Sequence, residues 1–213
     1  MGAKFITLEG GEGAGKSTQC QLLADALRSS GLTVHVTREP GGSAGAELIR
    51  ALLVKGATDR WTPMTEALLM SAARSDHVEK VIKPKLAEGT WVISDRFFDS
   101  MSAYQGAGHG LGLDAMQKLT KLAIGDFKPD LTVMMDLDVE IGMERAGIRE
   151  DEDQSGEDRY ERMGKDFHQS IRDGLLAIAS FHPERCAIIN AEHSPEQVEK
   201  DIWAAVARRF NLS

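Results

Sequence analysis

Between Leu8 and Thr18 the chain reads LEGGEGAGKST, a run whose residue types and spacing suit one task, holding phosphate. Gly10 to Ser17 fill every fixed position of the G-x-x-x-x-G-K-[ST] pattern. Gly10, Gly11, Gly13 and Gly15, with Ala14 among them, let the backbone curl so that successive amide hydrogens point inward. Lys16 then reaches the terminal phosphates of a nucleotide, and the Ser17 hydroxyl can ligate magnesium. A helix entered through Lys16, Ser17 and Thr18 presents its positive end to the same anion. One residue is out of keeping: Glu12 puts a carboxylate in the middle of an anion-binding loop.

Binding a nucleotide does not identify a reaction. A regulatory GTPase needs an Asn-Lys-x-Asp reader for guanine, and neither Asn190 nor Asn211 is followed by lysine. A motor or transport ATPase usually carries a glutamate beside its strand-ending aspartate to activate water. After Trp91-Val-Ile-Ser this chain gives Asp95 and then Arg96. An arginine there suits the grip of a second anion, so the phosphate acceptor is expected to be another phosphorylated molecule.

The elements that must position these residues alternate. Strands are expected at Phe5–Leu8, Thr33–Thr37, Trp91–Asp95, Leu131–Asp136 and Cys186–Asn190. Helical periods run from about Lys16 to Ser30, from about Ala44 through Leu53, and from about Thr65 to Glu88, where Pro84 predicts a kink or stop. A last helix opens at Ser194-Pro195-Glu196, a cap followed by proline in the first turn. The pattern predicts an α/β fold of the P-loop NTPase kind, a five-stranded parallel sheet with helices on both faces. Polar residues cluster after the strands: Glu9 to Thr18, Arg38-Glu39, Asp95-Arg96 and Asp136. Ligands of such sheets bind there. Residues 149–158, REDEDQSGED, are acidic and without apolar period, and read as a mobile loop.

With 213 residues and 42% hydrophobic content, the chain is expected to form one domain over 1–213. A net charge of −8 argues against general capture of nucleic acid or anionic membrane. No apolar run approaches the ~20 residues of a membrane span. Cys20 and Cys186 read as reduced thiols, and the expected location is cytoplasmic.

Taken in order, EGGEGAGKST, TREPGG (37–42), AAR (72–74), DRF (95–97), SAYQG (102–106), FKPDLT (127–132) and DRYE (158–161) resemble the bacterial thymidylate kinase family over about residues 4–205. The resemblance implies transfer of the γ-phosphoryl group of ATP to dTMP, giving dTDP, with Mg²⁺. It implies that Arg96 clamps the acceptor phosphate, that Arg50 also contacts it, and that Asp95 helps Ser17 to organise the metal. Arg74 would reach base and acceptor phosphate, with Glu39 also among the substrate-binding residues. Tyr104 would pack under C2′ and favour deoxynucleotides, while Gln105 would read a pyrimidine edge. Two positions depart from the family pattern. Met70 stands where a phenylalanine usually stacks on thymine, and Met101 stands where Ser, Thr or Asn lies close to the base.

Glu12 aligns with a family carboxylate expected to face the acceptor's sugar and the magnesium or water network. Gly13 occupies the place where one branch of the family carries an arginine. In the subclass with glycine there, lid arginines close over ATP; Arg149 and Arg159, with help from Arg145, match that pattern in a lid over about 145–160. Family members are commonly homodimers. The rival readings are a kinase for another small nucleoside monophosphate, which Met70 and Met101 keep open, and a regulatory nucleotide-binding protein.

Overall fold

The structure is a computed structural model that describes residues 2–152 and 159–212, the side chains of 148–152 excepted. In chain order its elements are β1 (Phe5–Gly10), α1 (Lys16–Ser29), β2 (Val34–Arg38), α2 (Ala44–Leu53) and α3 (Pro63–His77). A wide π turn over Val78–Ile82 leads into α4 (Lys83–Ala87), then β3 (Trp91–Asp95) and α5 (Phe98–Met101). A second π turn covers Ser102–Gly108, followed by α6 (Leu113–Ile124), β4 (Leu131–Asp136), α7 (Val139–Glu152), α8 (Lys165–Phe181), β5 (Cys186–Asn190) and α9 (Pro195–Phe210).

All strand pairs are parallel, in the order β2-β3-β1-β4-β5. The chain leaves β1 toward β2 but leaves β3 toward β4, so its direction reverses between these two central neighbours. That reversal opens a crevice above their carboxyl ends. The period of two along each strand divides the core. Ile6, Leu8, Trp91, Ile93, Leu131 and Val133 pack with Leu23, Leu27, Ile202 and Val206 of α1 and α9. On the opposite face Phe5 and Val92 meet Val78, Ile82 and Phe97, and Met134 meets Ile171 and Leu175 of α8. Glu9 has the same parity as Phe5 and Thr7, and so its buried carboxylate points into this second face.

The helix expected over Thr65 to Glu88 is present as the continuous run of α3, the π turn and α4, with Pro84 in the first turn of α4, where its missing N–H leaves no gap. Two expectations need correction. β1 runs two residues beyond Leu8, because Glu9 and Gly10 pair with Met134 and Met135. Residues 149–152, expected in a loop, continue α7. The remainder of that acidic segment, 153–158, lies outside the described residues.

Candidate active site

The phosphate loop leaves β1 at Gly10 and turns into α1 through Gly15, whose φ of 80° is left-handed. Lys16 is folded back on the loop and donates to Gly11 O at 2.7 Å. Burial lowers its pKa, and the nearby Arg96 charge adds to the effect. Ser17 Oγ donates to Asp95 Oδ2 at 2.5 Å, so the helix start and the end of β3 touch at this point. Among the described residues no group of three His, Cys, Asp or Glu is placed to hold a metal. A hydroxyl and a carboxylate beside the phosphate loop nonetheless fit magnesium, which takes most of its ligands from nucleotide phosphates and water.

Glu12 has its partner directly opposite. Its Oε1 accepts from Arg96 Nη2 at 2.8 Å and from the Tyr104 hydroxyl at 2.7 Å. Arg96 also donates through Nη1 to Gly10 O at 2.9 Å, and its guanidinium lies 4.9 Å from the centre of the Tyr104 ring. Burial works against the Arg96 charge, but Glu12, Asp95 and Glu9 outweigh it and raise its pKa. Tyr104 is brought to this point by the second π turn, a distortion that re-aims side chains.

A second cluster lies on α3. Arg74 is buried and donates from Nε to Glu39 Oε2 at 2.7 Å, from Nη2 to Phe97 O at 3.1 Å and from Nη1 to Met101 Sδ at 3.4 Å. The Met101 thioether, one turn past Phe97, thus takes a hydrogen bond that would otherwise go unmade. Met70 packs half-buried beside Met101 and Met116. Arg50 donates to Pro40 O at 2.8 Å. His77, which the sequence analysis left aside, completes the group by sharing Glu39 at 3.0 Å and Thr37 at 2.8 Å.

Gln105 and Arg159 share one partner, Glu66. Gln105 Nε2 donates to Glu66 Oε1 at 2.6 Å, while its carbonyl oxygen is buried and without a hydrogen-bond partner. Arg159, expected to close over ATP, is 2% exposed. It donates to Glu66 Oε2 at 2.5 Å and to the carbonyls of Leu53, Ala57 and Thr58, which ties the chain after 158 to the end of α2. Burial alone would raise Glu66, but the nearby His109 ring and the hydrogen bonds from Gln105 and Arg159 hold its carboxyl at about 2. His109 is therefore part of this network, 3.3 Å from Glu66 Oε1. Arg145 is exposed on α7 and donates to Ala191 O at 3.0 Å, while the Arg149 side chain lies outside the described residues. Glu66 was not anticipated. An acidic residue on the apolar face of an amphipathic helix was the only sequence signal for it.

Gly13 has a steric reason to be glycine. Its φ is +69°, and a Cβ there would stand 2.2 Å from Gly142 O. A Cβ on Gly142 would stand 2.6 Å from Glu12 O. α7 is seated on the phosphate loop itself, and the position beside Glu12 is closed to any side chain.

A phosphate loop above a parallel sheet, with a second, half-buried cation facing it across the reversal point, defines a phosphoryl-transfer enzyme of the P-loop α/β class. The family model described as thymidylate kinase matches residues 8–202. The thymidylate kinase of Caulobacter vibrioides is 50% identical over 208 residues, covering 98% of each chain. That of Rhodopseudomonas palustris strain TIE-1 is also 50% identical, covering 97% of this chain and 90% of the relative. The crystal structure of thymidylate kinase from Ehrlichia chaffeensis superposes with a TM-score of 0.76 at 33% identity, covering 97% of this chain and 99% of that one. The chain belongs to the thymidylate kinase family.

Proposed function

We infer that these residues carry out the phosphorylation of dTMP to dTDP with the γ-phosphoryl group of ATP. The observation that carries this reading is the placement of Arg96. Its bonds to Gly10 O, Ser100 Oγ and Glu12 Oε1 engage three of its five N–H donors. A guanidinium held in this way keeps further N–H donors, and such donors can grip a phosphate. The loop amides and Lys16 hold the ATP phosphates, and Arg96 holds the acceptor phosphate against them. An oxygen of that phosphate is already a nucleophile, so positioning and charge neutralisation suffice, without a general base. Magnesium bound through Ser17 and Asp95 would supply further neutralisation of the phosphate oxygens.

Glu12 answers to the acceptor's sugar end, held by Tyr104 from below. Arg74, fixed by Glu39, faces the base together with Met70, Met101 and the Gln105 carbonyl, and Arg50 stands beside the acceptor phosphate. Arg149, with Arg145, remains the proposed source of positive charge over ATP from a lid over about 145–160. Arg159 anchors that segment. Neither rival reading is favoured by membership of this family.

The finer setting belongs to the same proposal: one domain over the whole chain, acting in the cytoplasm as a homodimer. No helix among the described residues is long and apolar enough to cross a membrane. Cys20 and Cys186 are free thiols in separate core clusters. The adjacent helices α2 and α3 expose Leu48, Leu52, Met64 and Leu68, apolar surface of the kind a second copy would cover.

Initial rates of ADP formation with dTMP, dUMP, dCMP, dGMP and AMP, beside a control without acceptor, test the reading. A preference for dTMP is expected. The thymine methyl is worth only roughly 1–3 kcal/mol, so dUMP should turn over slowly. Equal rates with every acceptor would sink the specificity, and turnover with none would sink the function.

A further inference from the structure

Arg96 reaches the phosphate loop with a left-handed backbone, φ 66°. Among the described residues only one other non-glycine residue has a positive φ, Asn211, which ends α9. A residue with a side chain holds that conformation only where its surroundings fix it. The bonds on the turn itself are Arg96 N to Leu8 O at 2.9 Å and Ser94 Oγ to Arg96 O at 2.8 Å. The next peptide is held by a side chain from another strand: Phe97 N donates to Glu9 Oε1 at 2.7 Å. The other oxygen, Glu9 Oε2, accepts from Ser100 Oγ, and Ser100 Oγ in turn lies 3.3 Å from Arg96 Nη1. Glu9 is 0% exposed. Both of its oxygens are engaged by the segment after β3, at Phe97 N and Ser100 Oγ.

We propose that Glu9 is a positioning residue for phosphoryl transfer. It clamps the backbone after Arg96 with one oxygen and the hydroxyl beside the Arg96 guanidinium with the other, and thereby fixes where that cation points. The proposal rests on the reading of Arg96 as the arginine of the acceptor phosphate. The neighbouring carboxylate, Asp99, is turned to Arg185, whose Nη1 and Nη2 bind its two oxygens at 2.5 and 3.0 Å. An apolar side chain at position 9 would leave Phe97 N buried and unpaired.

The clamp also tolerates a change of charge. Burial, with the Asp99 carboxylate, raises Glu9 to about 7 against the opposing bonds from Ser100 and Phe97 and the Arg96 charge. Ionised, Glu9 accepts both bonds. Protonated, it still accepts from Phe97 N and donates to Ser100 Oγ. A glutamine can reproduce the second arrangement, with its carbonyl on Phe97 N and its amide on Ser100.

The test is a set of variants assayed for kcat and for KM of dTMP and ATP separately, with the folded fraction followed by circular dichroism. Arg96→Ala alone should lose about 10²–10³-fold in kcat. Glu9→Ala should lose about 10²-fold in kcat, since misplacement of a group by an ångström costs that much, while the KM for ATP stays within about twofold. Glu9→Gln should recover to within about tenfold of the parent. In the Arg96→Ala background, Glu9→Ala should add nothing, because a residue acting through Arg96 has nothing left to position. A parent-like kcat in Glu9→Ala, or losses that multiply in the double variant, would overturn the proposal. Should Glu9→Ala fail to fold, Ser100→Ala, expected to lose about tenfold in kcat by freeing one edge of the guanidinium, decides the matter against Glu9→Gln. An Arg96→Ala variant with parent-like kcat would instead refute the reading of Arg96, a different result.

Discussion

Glu12 Oε1 stands 2.8 Å from Arg96 Nη2, across the crevice between β1 and β3, and the Tyr104 hydroxyl meets the same oxygen at 2.7 Å. The carboxylate in the phosphate loop thus turns away from the loop's own amides. It holds a cation and a phenol at the place where an acceptor nucleotide would enter. The pair is mostly buried, with side-chain exposures of 16% and 14%, so its attraction is little screened by solvent.

Loss of that carboxylate should act on the acceptor and spare ATP. In Glu12→Ala, kcat/KM for dTMP should fall by about 10–150-fold, the worth of one or two hydrogen bonds to a charged group. Nucleotide binding to the loop, followed by calorimetry with a non-hydrolysable ATP analogue, should change by less than about threefold. An equal loss in both would place Glu12 with the ATP phosphates instead.

Arg159 and Glu66 predict a stability effect where a lid role predicts a kinetic one. Arg159→Ala leaves the Glu66 carboxylate buried without its cation, which should cost about 3–5 kcal/mol. The double variant Arg159→Met/Glu66→Leu should recover part of that loss, because two apolar side chains demand no partner. Urea unfolding separates the ideas: a parent-like midpoint with a large fall in kcat would return Arg159 to the lid.

Two buried carboxyls should tilt the pH dependence of stability in opposite senses. Glu66 has its pKa depressed from 4.5 to about 2, so its contribution is present above pH 4.5 and is lost as pH falls toward 2. Glu9 is raised from 4.5 to about 7, so its contribution is present below pH 4.5 and is lost as pH rises through 7. Thermal unfolding across pH 2–8 in the parent, Glu66→Gln and Glu9→Gln reads both windows (about 2 to 4.5 and 4.5 to 7). Glu66→Gln should flatten the acid limb, and Glu9→Gln should flatten the fall toward neutrality. A parent slope retained in both would refute the assignment.

The seat of α7 on the phosphate loop makes Gly142 as demanding as the loop glycines. Gly142→Ala puts a methyl 2.6 Å from the Glu12 carbonyl, backbone that cannot rotate aside. It should cost about 1–3 kcal/mol and lower kcat, since the helix moves away from the loop or the loop distorts. Gly147→Ala, on the same helix with nothing within 4 Å, is the control and should be neutral or stabilising in the same melting assay.

How much of this was legible beforehand differs from residue to residue. The phosphate loop could be read from its spacing, since its chemistry belongs to consecutive backbone amides and needs no distant partner. The five strands were legible because apolar runs bounded by glycine, proline and aspartate leave little choice of element; Trp91–Asp95, Leu131–Asp136 and Cys186–Asn190 stand where the pattern put them. Ser194 and Pro195 cap and open α9 for the same local reason. Pro84 announced a kink or stop, though not the π turn upstream of it.

What the tertiary structure decided were the partnerships. Glu12, Arg96 and Tyr104 are separated by 84 and 92 positions, and only strand order and the second π turn bring them to one oxygen. Arg159 looked like a lid arginine through its match to the family pattern. Its fate was set by Glu66, 93 residues away, on a helix that turns a carboxylate inward. Glu9 read as polar punctuation after a strand. The parity of β1 aims it at Phe97 and Ser100, and burial there makes it a clamp. Local sequence determines what each segment can be, because propensity, capping and loop chemistry act over a few residues. Which charge meets which depends on the closing of long loops, and no short stretch of the chain contains that information.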